Sequence, residues 1–128
     1  MPLLVTSTAD RTGLFVTIFP VGSLDSNTYP ILESHLAELG KSSPRALVFD
    51  LKGLTYISSA GVRVFVSTKK AMKAADGEMI LTNVPPQIRK VFEIIQALPS
   101  LNVFENVEEL DRYLAGIQQK IVEEGETK

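Results

Sequence analysis

The sequence predicts a single α/β domain with a mostly parallel, mixed sheet of about five strands and four helices. The order of the elements is the first reason, because two β-rich runs open the chain and helical and strand patterns then alternate to its end. The second reason is size. A chain of 128 residues, of which 45% are hydrophobic, supports one core and is too short for two ordinary domains.

The opening segment predicts a β-hairpin followed by a helix. Residues 3–5 and 14–19 are short β-rich runs, and the Asp and Gly in residues 9–13 between them suit a turn. Residues 22–27 then break the strand pattern and offer capping side chains. Apolar residues recur after them at helical spacing until Gly40 ends the helix. These apolar residues are Ile31, Leu32, Leu36 and Leu39.

The middle of the chain predicts a central strand and a long helix. Residues 45–51 include a continuous apolar run, which is typical of a strand buried on both faces. In residues 60–75 three valines alternate as in a strand, but the stretch has the length of a helix and ends at Asp76. Projected at about 100° per residue, its core-facing side chains form one stripe. The stripe consists of Val64, Phe65, Thr68, Ala71, Met72 and Ala75.

The last third of the chain predicts a strand, a helix, a short strand and a final helix. Residues 78–84 have a strand pattern, and Pro85 and Pro86 open a helix because proline suits the first helical turn. Residues 101–104 predict the short strand, and Asn106 is suited to cap the final helix. The apolar residues at helical spacing are Ile88, Val91, Phe92 and Ile95, and then Val107, Leu110, Leu114, Ile117 and Ile121.

Composition excludes several classes of function. The chain has no cysteine, which excludes disulfides, thiolate catalysis and cysteine-ligated metal sites. A net charge of -2 lacks the basic surplus that nucleic acid attracts, so we expect no direct nucleic-acid partner. No apolar run approaches the roughly 20 residues that cross a bilayer, so we expect a cytoplasmic protein without membrane insertion. Neither a P-loop nor a G-x-G-x-x-G motif occurs, and we expect no cofactor.

Two single residues have structural interpretations. His35 is the only histidine and falls within the stripe of the first helix, without a second ligand at metal-binding spacing. Asp50 ends the central strand, at an edge where α/β sheets often bind ligands, but no second group joins it at an informative spacing. We expect the domain to span residues 1–122 and residues 123–128 to form a flexible tail.

Residues 49–63 carry the strongest functional signal, because they join a buried strand to the N-terminus of the long predicted helix. Unpaired N–H groups and the helix dipole favour negative charge at such a terminus, so the fold itself would tolerate a phosphate on Ser59. We expect an exposed partner-binding patch on the helix face opposite the apolar stripe, where a phosphate would repel an acidic partner. The helix residues of this patch are Ser59, Val62, Arg63 and Val66.

The same residues also have ordinary structural interpretations. Ser58 and Ser59 are suited to cap the helix, since serine is favoured at that position. Val62 and Val66 could instead lie partly buried beneath a neighbouring loop. Asp25, which precedes the first helix, is equally suited to a turn.

Three segments carry a family resemblance: Gly-Ser-Leu-Asp at 22–25, Ser-Ser-Ala-Gly-Val at 58–62 and Asp-Gly-Glu-Met-Ile-Leu at 76–81. Together with the order of the elements, they resemble the STAS domain of the anti-sigma factor antagonist type over nearly the whole chain. In that family the turn reads Asp, Ser or Thr, Ser or Thr, Gly. The hydroxyl after the Asp is phosphorylated by an anti-sigma factor that is also a serine kinase. Alignment on Gly61 places this acceptor at Ser59.

The turn differs from the family pattern at two positions. Ser58 stands where the family has Asp, and Ala60 replaces the second hydroxyl residue. Ser58 is thereby a lesser candidate for the acceptor. The resemblance further implies that Asp25, in the family's Gly-x-Leu-Asp segment, borders the partner surface. The candidate partner-binding residues are Asp25, Ser58, Ser59, Val62, Arg63 and Val66.

These features suggest three possible functions. The resemblance implies an anti-sigma factor antagonist that binds an anti-sigma factor with serine kinase activity, is released on phosphorylation of Ser59, and is reset by a serine phosphatase. The alternative within the same fold is a non-phosphorylated STAS accessory subunit of a membrane transporter complex, which the missing aspartate suits. The third is a small hydrolase or nucleotide-binding enzyme, but a serine nucleophile needs a base in reach, and no plausible histidine partner exists. We therefore expect a regulator rather than an enzyme.

Overall fold

The computed structural model describes residues 2–97 and 106–126. Within these ranges the chain forms five strands and four helices, which confirms the predicted α/β fold class. The strands are β1 (Leu4–Ala9), β2 (Phe15–Leu24), β3 (Ala46–Asp50), β4 (Leu54–Ile57) and β5 (Glu78–Thr82). The helices are α1 (Tyr29–Gly40), α2 (Ser59–Ala74), α3 (Pro86–Ala97) and α4 (Val107–Glu126). The predicted strand at 101–104 lies outside the described residues.

A mixed sheet positions the start of α2. Its path runs β1-β2-β3-β5, and β4 pairs with the end of β2. β1 is antiparallel to β2, which confirms the opening hairpin, and the other pairs of described strands are parallel. β3 lies between β2 and β5, as expected for a central strand. β2 pairs with β3 at residues 15–18 and with β4 at residues 22–24, so its end lies beside the segment that leads into α2.

Two strand boundaries differ from the prediction. The predicted break at residues 22–27 is wrong for its first three residues, because β2 continues through Gly22 to Leu24, and the chain turns only at residues 25–27. Gly22 has a φ of 114°, which glycine adopts without strain, and the pairing with β4 shifts register between Gly22 and Ser23. No strand is predicted between the central strand and the long helix, but residues 54–57 form β4. A strand this short gives little periodic signal in the sequence.

A chain of aromatic contacts ties the sheet to two helices. Phe49 of β3 and Phe65 of α2 are both buried, and their ring centroids lie 4.9 Å apart at an interplanar angle of 73°. Phe92 of α3 meets Phe65 edge to face, with centroids 5.6 Å apart. Such pairs contribute about 0.5–1.5 kcal/mol each beyond the burial of their surface. These contacts fix α2, and with it the Ser58–Ser59 turn, against β3 and α3.

The apolar stripe predicted for α2 is only partly buried. Val64, Phe65 and Met72 belong to the core, which confirms the helical interpretation of this segment. Ala71 and Ala75 are exposed, and there the prediction of burial is wrong. The stripe therefore reaches the core mainly through its larger side chains.

α1 packs on the sheet through Leu32, which is fully buried, whereas Ile31 is 46% exposed and lies outside the core predicted for it. The Nε2 atom of His35 lies 2.9 Å from the Oγ atom of Ser7 in β1. This contact links α1 to the edge strand and supports the structural role predicted for the histidine.

α4 begins as the sequence predicts. The Oδ1 atom of Asn106 accepts a hydrogen bond from the Glu109 N–H group at 2.8 Å, which confirms the predicted cap. Leu110 and Leu114 are buried in the core. The helix continues to Glu126, past residue 122, where the domain is predicted to end. None of the described helices combines the length and apolar character that crossing a membrane requires.

Candidate functional site

Backbone hydrogen bonds shape the N-terminus of α2. Ser58 occupies the N-cap position in an extended conformation, with φ of -100° and ψ of 176°. Its N–H group donates to the Leu24 carbonyl oxygen at 2.9 Å, and its own carbonyl oxygen accepts from the Val62 N–H group at 3.0 Å. The Ser58 side chain makes no capping hydrogen bond. The cap interpretation of Ser58 therefore holds for its position and fails for its hydroxyl.

Gly61 lets the first turn of α2 approach β2 and β4 closely. A Cβ atom at this position would lie 2.8 Å from Ile57 Cγ1, 2.9 Å from Leu24 Cγ and 3.0 Å from the Leu24 carbonyl oxygen. These separations are shorter than van der Waals contact, so a larger residue would push the turn away from both strands. The glycine on which the family alignment rests thus has a steric role in this chain.

The hydroxyl groups of Ser58 and Ser59 are buried at this terminus. Ser58 is 3% exposed and Ser59 is 8% exposed. Neither Oγ atom has a hydrogen-bond partner among the described residues. A buried hydroxyl without a partner costs about 1–3 kcal/mol, so such groups are few in native proteins and call for an explanation. The fold brings both candidate acceptors together, but the prediction that Ser59 lies on an exposed face is wrong.

A carboxylate from α4 caps α2 where the serine side chains do not. The Oδ1 atom of Asp111 accepts a hydrogen bond from the Ser59 N–H group at 2.9 Å. The free N–H groups and the dipole at the start of α2 favour a negative charge in this position. The sequence-based prediction of the site misses Asp111. The sequence contains one indication of this role. Asp111 lies about one helical turn before Leu114, a predicted core residue, so the two side chains share one face of α4.

Gln118 attaches α4 to the end of β4. The side chain is 2% exposed, although glutamine is usually a surface residue. Its Oε1 atom accepts from the Ile57 N–H group at 2.9 Å, and its Nε2 atom donates to the Ile57 carbonyl oxygen at 2.8 Å. Nε2 also donates to the Leu114 carbonyl oxygen at 3.1 Å. The amide of Gln118 therefore satisfies both backbone polar groups of Ile57, as a neighbouring strand would.

Two carboxylates influence the titration of Tyr56 in β4. Burial raises the pKa of the Tyr56 hydroxyl above its usual 10.0, and the negative charges of Asp111 and Asp25 raise it further. Asp25 Oδ1 also accepts from the N–H groups of Asn27 and Thr28 at 2.9 and 3.1 Å, so Asp25 has the turn role that its position allows.

The described residues contain no group of three or more His, Asp or Glu that could hold a metal ion.

The exposed part of the predicted partner-binding patch is smaller than expected. Val62 is 3% exposed, so the prediction that it lies on the surface is wrong. Arg63 is exposed, and Val66 is 44% exposed, as predicted. α2 contacts the sheet, α1 and α4, and it is therefore covered on more than one side. The helical projection assumes a single buried stripe and misses this second covering.

Comparison with known families identifies the domain. The STAS domain matches residues 6–110, which is most of the chain. The chain belongs to the STAS domain family. This finding confirms the resemblance drawn from the turn and from the order of the elements. The match ends before Asp111, which bonds to the start of α2, and before Gln118, which bonds to the end of β4.

Two curated relatives are named as anti-sigma factor antagonists. The anti-sigma-B factor antagonist of Staphylococcus aureus is 31% identical over 103 residues, which cover 80% of this chain and 93% of that protein. BtrV of Bordetella bronchiseptica is 40% identical over 73 residues, which cover 57% of this chain and 63% of BtrV. The chain therefore matches nearly the full length of the first relative and less than two thirds of the second.

A solved structure shares the fold. The anti-sigma factor antagonist SpoIIAA in its unphosphorylated form matches with a TM-score of 0.59. The match has 22% sequence identity and covers 72% of this chain and 82% of SpoIIAA. At this identity the likeness establishes the SpoIIAA-like architecture, and it confirms the fold predicted from the resemblance.

Proposed function

We propose that this chain is an anti-sigma factor antagonist that binds an anti-sigma factor with serine kinase activity and is released when Ser59 is phosphorylated. The observation that carries the proposal is the position of Ser59, a serine in the first turn of α2 in a STAS domain. The names of the Staphylococcus aureus and Bordetella bronchiseptica relatives support the class of partner. Such a partner would place the function in the cytoplasm.

The proposed modification is a phosphoryl transfer from ATP to Ser59. The Oγ atom of Ser59 bonds to the γ-phosphorus, the bond between that phosphorus and the oxygen of ADP breaks, and the hydroxyl proton passes to a base of the kinase. The product carries about -1.5 to -2 charges at pH 7. A serine phosphatase reverses the change by transferring the phosphoryl group to water. The partner detects the added charge at the start of α2.

The proposed partner surface extends along the exposed side of α2. Arg63 offers a cation about one turn from the acceptor, and Val66 offers an exposed apolar side chain about two turns from it. An acidic segment of the partner would pair with Arg63 and be repelled by a phosphate nearby. Asp25 borders this surface from the turn before α1. Ser58 and Val62 are buried and hold the first turn of α2 in place, so they support the partner surface from inside the domain.

In this proposal the chain regulates and does not catalyse. A serine nucleophile requires a general base within hydrogen-bond reach. His35 is the only histidine in the sequence, and its ring contacts Ser7 on β1. It is therefore not placed to activate Ser59. The family is regulatory, which agrees with this reasoning.

The burial of both serine hydroxyls favours a second candidate function. A STAS accessory subunit of a membrane transporter complex would bind its partner without being phosphorylated. An acceptor Oγ atom that is buried, together with Ser58 in place of the family's aspartate, suits such a subunit. Affinity capture from the native cell separates the two functions. Recovery of a transporter ATPase or permease subunit supports the second, and recovery of a serine kinase supports the first.

The primary experiment compares Ser59→Ala, Ser59→Asp and the control Ser67→Ala, at an exposed serine farther along α2. With the anti-sigma factor and ATP, intact-mass measurement should show one added phosphate on the wild type and on Ser67→Ala, and none on Ser59→Ala. Ser59→Asp should bind the anti-sigma factor about tenfold more weakly than Ser59→Ala, because it adds a negative charge at the contact. Equal affinities of Ser59→Ala and Ser59→Asp would remove the basis of the proposed switch.

A further inference from the structure

α4 contacts the residue that carries the proposed phosphate acceptor. The Oγ atom of Ser59 is buried and has no hydrogen-bond partner among the described residues. The N–H group of the same residue is held by Asp111 of α4 at 2.9 Å. A kinase must bring an acceptor hydroxyl within hydrogen-bond reach of its catalytic base and in line with the γ-phosphate of ATP. In the arrangement observed, the Ser59 hydroxyl is closed to that approach.

The polar contacts that join α4 to the segment around the acceptor come from residues beyond the family match. The match to the STAS domain ends at residue 110. Asp111 binds the first turn of α2, and Gln118 binds both backbone groups of Ile57, two residues before Ser59. Leu114 lies between them on the same face of α4 and is fully buried. One face of the helix thus supplies a carboxylate, an apolar side chain and an amide to the segment that leads into the acceptor.

Asp111 also occupies the position that a phosphate on Ser59 would need. The start of α2 stabilises one anion through its free N–H groups, and the Ser59 N–H group is already bonded to the Asp111 carboxylate. A phosphoserine would bring about -1.5 to -2 charges beside that carboxylate. Asp25 contributes a further negative charge near Tyr56, so the surroundings of the site are already acidic. A phosphate and Asp111 therefore compete for the same helix terminus.

We infer that α4 is an autoinhibitory lid, which must leave Ser59 before phosphorylation and which the phosphate then keeps displaced by competing with Asp111 for the N-terminus of α2. This inference rests on the proposed function for the identity of the modifying kinase. The closed lid makes the free chain a poor kinase substrate. Once modified, the chain differs from the unmodified form by the position of a whole helix as well as by a charge.

The first test measures the lid without any kinase. Hydrogen–deuterium exchange of residues 107–126 is compared in Ser59→Glu and Ser59→Gln, which add side chains of equal size with and without charge. Repulsion between two carboxylates that is equivalent to one pKa unit shifts the equilibrium between closed and open α4 about tenfold. Exchange should therefore be about tenfold faster in Ser59→Glu than in Ser59→Gln. Adding Asp111→Asn should return Ser59→Glu to the rate of Ser59→Gln, because Asn keeps the hydrogen-bond acceptor and removes the charge. Equal exchange in Ser59→Glu and Ser59→Gln would overturn the competition between phosphate and Asp111.

The second test measures access to the hydroxyl. Gln118→Ala removes the attachment to Ile57, and Gln119→Ala makes the same change at the neighbouring exposed residue. With the serine kinase and ATP, Gln118→Ala should be phosphorylated about tenfold faster than Gln119→Ala, since loss of buried hydrogen bonds favours the open lid by an amount of that order. Equal rates would contradict the lid. If neither variant nor the wild type is phosphorylated, the proposed function fails, and the exchange measurement still decides whether charge at Ser59 displaces α4.

Discussion

Replacing Gln118 with alanine removes the polar attachment of α4 to the sheet. In the wild type the side-chain amide bonds to the N–H and carbonyl groups of Ile57 and to the carbonyl oxygen of Leu114. Ile57 is fully buried. The Gln118→Ala variant therefore leaves two backbone groups of a buried residue without these partners, while the buried apolar contacts of Leu114 and Leu110 are retained.

The cost follows from the number of groups left unpaired and from their access to water. A buried backbone group without a partner costs about 1–3 kcal/mol. A cleft of about 370 Å³ beside Gln118 is lined by Thr55, Tyr56 and Val122, among others, so water can replace part of what the amide provides. We therefore expect Gln118→Ala to lower the free energy of unfolding by about 2 kcal/mol, below the sum for two fully dry groups.

Urea denaturation followed by far-UV circular dichroism measures this change. The matched control is Gln119→Ala, whose exposed side chain donates a hydrogen bond to Glu123 Oε1 at 3.0 Å. The control should change the free energy of unfolding by less than about 0.5 kcal/mol. If Gln118→Ala and Gln119→Ala unfold at the same urea concentration, the amide of Gln118 does not hold α4 in the way described.

Three further outcomes are expected. Gly61→Ala should lower the free energy of unfolding by about 1–3 kcal/mol in urea titrations, because its Cβ atom would lie 2.8 Å from the Ile57 side chain. The control Gly40→Ala should not destabilise the domain, because a Cβ atom there would meet no neighbouring atom within 4 Å. Phe65→Ala should cost about 3–5 kcal/mol by the same assay, since it leaves a cavity between β3 and α3. In alkaline absorbance titrations referenced to Tyr56→Phe, Asp111→Asn should lower the raised pKa of Tyr56 towards 10.0, because a nearby negative charge is lost. Since the pKa of Tyr56 is higher in the folded chain, its contribution to stability is present below pH 10.0 and is lost as pH rises through the folded pKa.

The order of elements was predictable because periodicity and punctuation agree along most of the chain. The hairpin, the central strand, α2 and the Asn106 cap of α4 all follow from local patterns. β4 was not predictable in this way, because its four residues are stabilised by pairing with the end of β2 rather than by their own pattern. Gly22 shows why β2 extends beyond its expected end, since only the folded chain reveals its positive φ.

The candidate site was predictable at Ser59 and less so around it. A serine at a strand-to-helix turn and the family resemblance both point to this residue, whereas the helical projection places it on an exposed face. In the folded chain Asp111 of α4 binds the Ser59 N–H group, and both Ser59 and Val62 are buried. Asp111 and Gln118 approach from more than fifty positions away in sequence. Contacts of that range depend on how α4 docks, which local patterns do not specify.

The central claim is that a phosphate on Ser59 controls binding to an anti-sigma factor. The most direct test prepares the chain in unmodified and singly phosphorylated forms, each verified by intact mass, and measures the Kd of both for the same anti-sigma factor by isothermal titration calorimetry. The account predicts that the unmodified chain binds and that phosphorylation of Ser59 weakens binding by about tenfold or more. Equal Kd values for the two forms, or a phosphate located at a residue other than Ser59, would contradict it.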